Sequence, residues 1–157
     1  MQKVSTCLWF DNQAEEAAMF YVSLFPNSGI VDTKYYLEGA PRPAGSVLIV
    51  QFTLDGGDYV ALNGGPDFKF SPAISLVANC ETQEEVDTLW RRLSEGGQEG
   101  QCGWLTDKYG VSWQIVPRAF LKLLNTADKA SSQRAFSAMM KMAKLDIAAL
   151  QRAYADA

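Results

Sequence analysis

The sequence predicts an α+β protein made of two βαβββ modules and a C-terminal helical extension. Three observations support this. The order strand, helix, three strands occurs twice, in residues 3–65 and 72–118. Glycine- and proline-rich segments separate the strand-like runs, and residues 118–157 carry apolar positions at helical spacing. We expect one domain over residues 1–157, with a cupped, mixed and mostly antiparallel sheet and helices on one side.

The first module begins with a strand over residues 4–10. A helix follows, for which Asn12 is the expected N-cap and Glu15 completes a capping-box pattern. Residues 26–29, Pro-Asn-Ser-Gly, end this helix. The remaining strands are expected at 30–36, 47–54 and 58–63, with a loop at 38–46 and a hairpin turn at 55–57.

The second module repeats this order. Thr82 is the expected N-cap of its helix, with Glu85 at the capping-box position, and Gly96-Gly97 ends the helix. Its inner face is expected to carry Val86, Leu89, Trp90 and Leu93. The strands are expected at 73–79, 98–102, 103–106 and 112–116.

The extension is expected to form helices over 118–125, 129–143 and 146–156, the last with Asp146 as its N-cap. Each helix has apolar residues spaced to bury one face. These residues are Phe120, Leu123, Leu124, Phe136, Met139, Met140, Ile147, Leu150 and Tyr154.

Composition narrows the classes of partner and site. The formal charge is −4, and an acidic surface argues against nucleic acid as a partner. No apolar run approaches the roughly 20 residues that a membrane-spanning helix needs. The cysteines, Cys7, Cys80 and Cys102, lack metal-site spacing, which favours reduced thiols and a cytoplasmic location.

The chain contains no histidine. This excludes the histidine-dependent catalytic triads and any metal site built on imidazole. A Mg²⁺ or Mn²⁺ site made only of carboxylate and amide oxygens stays open on composition alone.

A turn and strand at residues 107–114, DKYGVSWQ, carry a family resemblance. The segment resembles a D-P-x-G-x-x-x-E motif of the vicinal oxygen chelate superfamily, which includes glyoxalase I, extradiol dioxygenases and bleomycin-resistance proteins. Asp107 and Gly110 match, and Gln114 stands where that motif has a metal-binding glutamate. We expect Asp107 to stabilise its own turn rather than to act as a base.

A narrower resemblance is to the PhnB-like family, labelled 3-demethylubiquinone-9 3-methyltransferase. The stretches that carry it are CLWFDNQAEEAAMFYVSLFPNS at 7–28, ALNGGPDFKF at 61–70 and CGWLTDKYGVSWQIVP at 102–117. The resemblance extends over residues 3–157, including KLDIAALQRAY at 144–154.

The resemblance also implies where a metal would be bound in related proteins. The corresponding positions are Ser5 or Cys7, Asn63, Ile74 or Ser75, and Gln114. Hard divalent cations prefer anionic oxygen ligands, and these positions supply no carboxylate and no imidazole. We therefore expect neither a metal nor another cofactor.

The candidate ligand contacts are Cys7, Trp9, Asn63, Trp104 and Gln114. Each has an alternative reading. Gln114 is either a structural amide, paired with Asn63 for example, or a ligand contact on the concave face, with Trp113 and Ile115 on the other face. Trp9 and Trp104 are cavity walls or core residues, and Cys7 is a nucleophile or a small buried side chain. Arg42, in the loop at 38–46, either meets an anionic ligand or is solvated.

Three functions remain open at this stage. The first is a metal-independent small-molecule-binding protein, or an enzyme of undefined reaction. The second is a methyltransferase acting on a quinone-type substrate, as the family label says, although the chain lacks the glycine-rich first loop of doubly wound nucleotide-binding folds. The third is a non-catalytic interaction module. In each case a homodimer is expected, because the apolar helices of the extension need a partner surface.

Overall fold

The computed structural model describes residues 2–156, and these residues divide into two compact units. The first extends to Phe70 and the second begins at Ser71. Each unit contains one four-stranded mixed sheet with a helix on one face. The predicted order of strand, helix and three strands is confirmed in both units, and so is the α+β class.

The first sheet has the strand order β1-β4-β3-β2. The β1–β4 pair is parallel and the other two pairs are antiparallel. Helix α1 packs on one face through Ala17, Ala18 and Tyr21, which are fully buried. The elements are β1 (Thr6–Phe10), α1 (Ala14–Val22), β2 (Gly29–Tyr35), β3 (Val47–Leu54) and β4 (Gly57–Asn63).

The start of α1 differs from the sequence prediction. Asn12 was expected to be the N-cap, but the helix begins at Ala14 with Gln13 at the N-cap position and no capping bond from that side chain. Instead, the backbone N–H of Ala14 donates to Oδ1 of Asn63, at 2.8 Å. The Asn63 Nδ2 donates to the carbonyl of Val47, at 3.1 Å. A residue distant in the chain therefore satisfies the first turn of the helix.

The second sheet has the order β5-β8-β7-β6, again with one parallel pair, β5–β8. Helix α2 covers one face with Val86, Leu89, Trp90 and Leu93, as predicted. The backbone N–H of Glu85 donates to Oγ1 of Thr82, which confirms the predicted cap. The elements are β5 (Ser75–Cys80), α2 (Gln83–Ser94), β6 (Gln98–Glu99), β7 (Trp104–Thr106) and β8 (Ser112–Pro117).

The extension forms three helices that belong to the second unit. A small core of Phe120, Met139, Leu145 and Leu150 joins them. Asp146 caps the last helix by accepting from the Ala149 N–H, as predicted. Within residues 2–156, no helix has the length and apolarity needed to span a bilayer. The helices are α3 (Arg118–Leu124), α4 (Lys129–Met139) and α5 (Ile147–Ala155).

The predicted inner face of α4 is wrong at two positions. Phe136 and Met140 are 40% and 54% exposed, whereas Ser131 and Ser132 are buried. These serines are satisfied locally, since the Ser132 hydroxyl donates to the Leu123 carbonyl and the Ser131 hydroxyl to Asp128. Helical spacing alone did not show that small hydroxyl side chains would occupy the contact face.

The end of α4 also lies earlier than the predicted residue 143. Backbone carbonyls beyond the helix accept bonds from outside it, at Met142 from the Cys102 N–H and at Ala143 from the Gly103 N–H. The Gln83 side chain on α2 forms hydrogen bonds with the turn between α4 and α5. Its Nε2 donates to the Leu145 carbonyl, and its Oε1 accepts from the Ile147 N–H.

The Asn63 cap gives a direct stability test. We expect Asn63→Ala to lower the free energy of unfolding by about 2 kcal/mol, because it removes a helix cap and leaves buried backbone groups without partners. Asn12→Ala, the control at the position expected from local sequence, should change it by less than about 0.5 kcal/mol. Urea denaturation measures both, and equal losses in the two variants would contradict the assignment of the cap.

Candidate functional site

The first sheet has one face covered by α1 and an opposite face, here called the open face. Strand alternation places buried residues such as Leu8, Val50 and Ala61 under the helix. The residues between them point the other way and are only partly buried. The open face carries Cys7, Trp9, Ile49, Gln51, Asp58, Val60 and Leu62.

A concavity of about 230 Å³ lies at one end of this face. Its wall is mostly apolar, with polar groups from a hydroxyl, an amide and a carboxylate. Apolar walls with a few polar groups are typical of small-molecule sites. The lining residues are Ser5, Val31, Gln51, Phe52, Asp58, Tyr59 and Val60.

Gln51 is the functional candidate that sequence reasoning missed. It is paired in register with Val60 on β4, and Val60 with Cys7 on β1, so the three lie in one row across the sheet. The sequence pattern that could have identified Gln51 is a single polar residue in an otherwise apolar run, VLIVQF, before Thr53. This is the same pattern that drew attention to Gln114.

Tyr59 is among the residues around the concavity, but alternation along β4 places its side chain on the α1 side of the sheet, in register with Phe52. Its ring stacks on Phe52, with centroids 5.4 Å apart. Burial raises the pKa of the phenol above its ordinary value of 10.0, so it stays protonated at neutral pH.

Cys7 lies on the open face beside this concavity and is exposed. Desolvation by its neighbours raises the pKa of the thiol above 9.0. The thiolate is the form that attacks electrophiles and binds metals, and at neutral pH it is therefore scarce. The position suits a ligand contact better than a nucleophile.

Trp9 lies at the other end of the open face, in contact with residues that follow β4. Its ring packs so closely on Gly64 that a Cβ at that position would overlap it. The indole Nε1 donates to the Gly65 carbonyl at 2.9 Å, and Phe68 contacts the ring edge-to-face at 4.9 Å between centroids. Trp9 is thus only partly buried rather than a full core residue, and its role as a cavity wall stays a prediction.

Asn63 does not share the open face with Cys7 and Trp9. It is buried on the helix side, where its amide caps α1 and binds the Val47 carbonyl. Its own carbonyl accepts from the Tyr36 hydroxyl at 2.6 Å. A ligand contact by Asn63 stays a prediction, and the open-face neighbour on β4 is Leu62.

In the second unit, Gln114 lies where alternation placed it. Trp113 and Ile115 are buried on the α2 side, whereas Gln114 is partly exposed on the opposite face. Its Nε2 donates to the Ser75 hydroxyl at 3.0 Å. Trp104 is its partner in register on β7, so the two candidates of this unit are neighbours.

Asp107 stabilises the turn before β8, as predicted. Its Oδ1 accepts from the backbone N–H groups of Tyr109 and Val111, at 2.8 and 3.0 Å. Its Oδ2 accepts from the indole Nε1 of Trp113, at 2.9 Å. The side chain is 2% exposed, so this carboxylate joins the turn to the core.

The donor set at the superfamily's metal positions does not fit a divalent cation. The side chains of Ser75 and Gln114 are hydrogen-bonded to each other, and the Asn63 amide is hydrogen-bonded to the start of α1. The raised pKa of Cys7 keeps its side chain a thiol. None of these groups is anionic at neutral pH. Residues 2–156 also contain no cluster of three or more acidic or cysteine side chains suited to a metal.

Comparison with known proteins identifies the family. The protein-family model described as 3-demethylubiquinone-9 3-methyltransferase matches residues 2–116 of this chain. The chain belongs to this family. The PhnB protein of Bacillus cereus is 41% identical, with a TM-score of 0.69, over 74% of this chain and 99% of its own. No curated protein matches the sequence.

Two more distant structures share the fold. A protein of Pseudomonas aeruginosa is 18% identical, with a TM-score of 0.61, over 74% of this chain and 98% of its own. The fosfomycin resistance protein FosX of Listeria monocytogenes is 12% identical, with a TM-score of 0.50, over 74% of this chain and 93% of its own. The family match ends at residue 116, so the expected resemblance of the extension lies outside it.

The Asp107 network can be tested by an isosteric change. In Asp107→Asn an amide presents one acceptor oxygen, so it must turn its NH₂ toward either Trp113 or the two backbone donors. We expect a loss of about 2 kcal/mol in the free energy of unfolding. Asp55→Asn, the same change in an exposed turn with φ 48°, should be nearly neutral. Matching losses in the two variants, measured by urea denaturation, would refute the network.

Proposed function

We propose that this protein binds a small organic molecule on the open face of the first sheet, without a metal. The observation that carries the proposal is the apolar concavity at Ser5, Gln51, Asp58 and Tyr59. A family defined by a shared fold does not fix a reaction, so the proposal rests on this geometry. Binding alone and catalysis on the bound molecule are both compatible with it.

The concavity favours a ligand of mixed character. The Gln51 amide can donate and accept at once. The carboxylate of Asp58 accepts, although it also receives the backbone N–H of Gln2. Val31 and Val60 supply apolar contact area. We infer a ligand with an apolar ring or chain and a polar group that both donates and accepts hydrogen bonds.

Ligand-observed NMR with a library of small polar aromatics tests this. We expect hits whose binding weakens about tenfold in Gln51→Leu, because a buried hydrogen bond is lost. Gln133→Leu, an amide replacement on the exposed side of α4, should bind like the wild type. Melting curves should confirm that both variants are folded. Unchanged binding in Gln51→Leu would show that the ligand lies elsewhere.

A second candidate is methyl transfer to a quinone-type substrate, which is supported by the description of the family. It requires S-adenosylmethionine as the methyl donor. Titration calorimetry with S-adenosylmethionine at up to millimolar concentration tests it. Absence of heat, with the protein shown to be folded, would remove this candidate and leave the binding proposal unaffected.

We also propose that the protein is a cytoplasmic homodimer. Reduced cysteines support the location, and three exposed apolar side chains on the extension, Leu121, Phe136 and Met140, support the assembly. We expect Phe136→Glu to shift the sedimentation coefficient from dimer to monomer, because it places a charge in an apolar contact. Gln13→Glu, the same added charge on an exposed residue of the first unit, should leave the dimer intact. A monomeric wild type would contradict the proposal.

A further inference from the structure

A second feature of the first unit lies where β1 and β4 end. Trp9, Arg42, Gly65 and Phe68 meet here, and we call this group the Gly65 corner. None of these residues lines the concavity described above. Binding at the Gly65 corner is therefore independent of the proposed function, and its test can fail without affecting that proposal.

Arg42 has few partners for a charged side chain that is only 26% exposed. Among residues 2–156 its polar partner is Asp11, and the distance from Arg42 Nη1 to Asp11 Oδ1 is long, at 3.9 Å. A guanidinium has five N–H donors in a planar fork. A largely buried cation with one long contact is costly unless something else satisfies it.

Gly65 holds the aromatic part of the corner next to this cation. A Cβ at Gly65 would lie 3.4 Å from Arg42 Nη1, so the guanidinium is beside the backbone here. On the same residue, the carbonyl accepts from the Trp9 indole. Trp9 in turn fixes the ring of Phe68, which is 65% exposed although it is a large apolar side chain.

The backbone of the corner is not arranged to bind a phosphate. Phosphate sites on glycine-rich loops depend on free backbone N–H groups. The Gly64 N–H donates to the Phe10 carbonyl at 2.9 Å, and the Gly65 N–H donates to the Asp11 carbonyl at 3.3 Å. Arg42 supplies the charged donors of the corner, and a planar fork matches a carboxylate in two parallel hydrogen bonds.

We propose that the Gly65 corner binds a small aromatic carboxylic acid. Its carboxylate pairs with the guanidinium of Arg42, and its ring packs against the exposed ring of Phe68. Asp11 is half-exposed and competes for the same guanidinium. It also repels the incoming anion, so its charge lowers the affinity of the corner.

The test is a titration of ¹⁵N-labelled protein with benzoate, followed by the Trp9 indole and Gly65 amide resonances. Benzamide, which has the ring without the charge, and cyclohexanecarboxylate, which has the charge without the aromatic ring, are the matched probes. We expect benzoate to shift both resonances in a saturable way and to bind more tightly than either control. Equal binding of benzamide, or no saturable shift with benzoate, would overturn the proposal.

Variants assign the two contacts. We expect Arg42→Gln to weaken benzoate binding ten- to a hundredfold, since a hydrogen-bonded ion pair is lost. Phe68→Leu should weaken it about threefold or more. Asp11→Asn should strengthen benzoate binding. A purely structural role for the Arg42–Asp11 pair would not predict this increase. Arg152→Gln, an exposed arginine in the second unit, is the control and should leave binding unchanged.

A ¹⁵N NMR spectrum of each variant checks that it is folded. If Arg42→Gln does not fold, Arg42→Lys replaces it in the test. The lysine keeps the charge without the fork, so it should bind benzoate more weakly than the wild type. Wild-type affinity in Arg42→Gln or Arg42→Lys, or weaker binding in Asp11→Asn, would overturn the assignment of the corner.

Discussion

Each sheet of this protein is covered by a helix on one face only, and the other features follow from that. Successive residues along a strand then lie in different environments, alternately under the helix and on the face without a helix. In the first unit, Asn63 lies on the covered face, and its amide joins β4 to the start of α1 and to β3. The uncovered face is where Gln51 and Cys7 lie, with polar groups among apolar ones.

Much of the fold could be predicted from the sequence, because its signals are local. The capping box at Thr82 and the turn at Asp107 depend on residues within a few positions of each other. The cap of α1 could not be predicted in this way, since Asn63 is 49 residues from Ala14. The contact face of α4 was mispredicted because buried serines took the place expected for Phe136 and Met140, and helical spacing does not show which face packs.

The site was predictable only in part, for a related reason. An isolated amide in an apolar strand signals a side chain on the uncovered face, and Gln114 was found by that pattern. Gln51 follows the same pattern in β3 but lay outside the motif that carried the family resemblance. A concavity is a property of several strands together, so no single segment shows it. Arg42 was noticed in its loop, whereas its neighbours in the Gly65 corner became visible only in the structure.

We propose that this protein binds its ligand without a metal. The most direct measurement is the melting temperature of chelator-treated protein with Mg²⁺, Mn²⁺, Fe²⁺, Ni²⁺ and Zn²⁺ added in turn. A metal at a hundred times its dissociation constant would add about 2.7 kcal/mol of stability, which is easily seen. We predict no increase with any of them. A clear increase with one metal, abolished in Gln114→Ala, would contradict it.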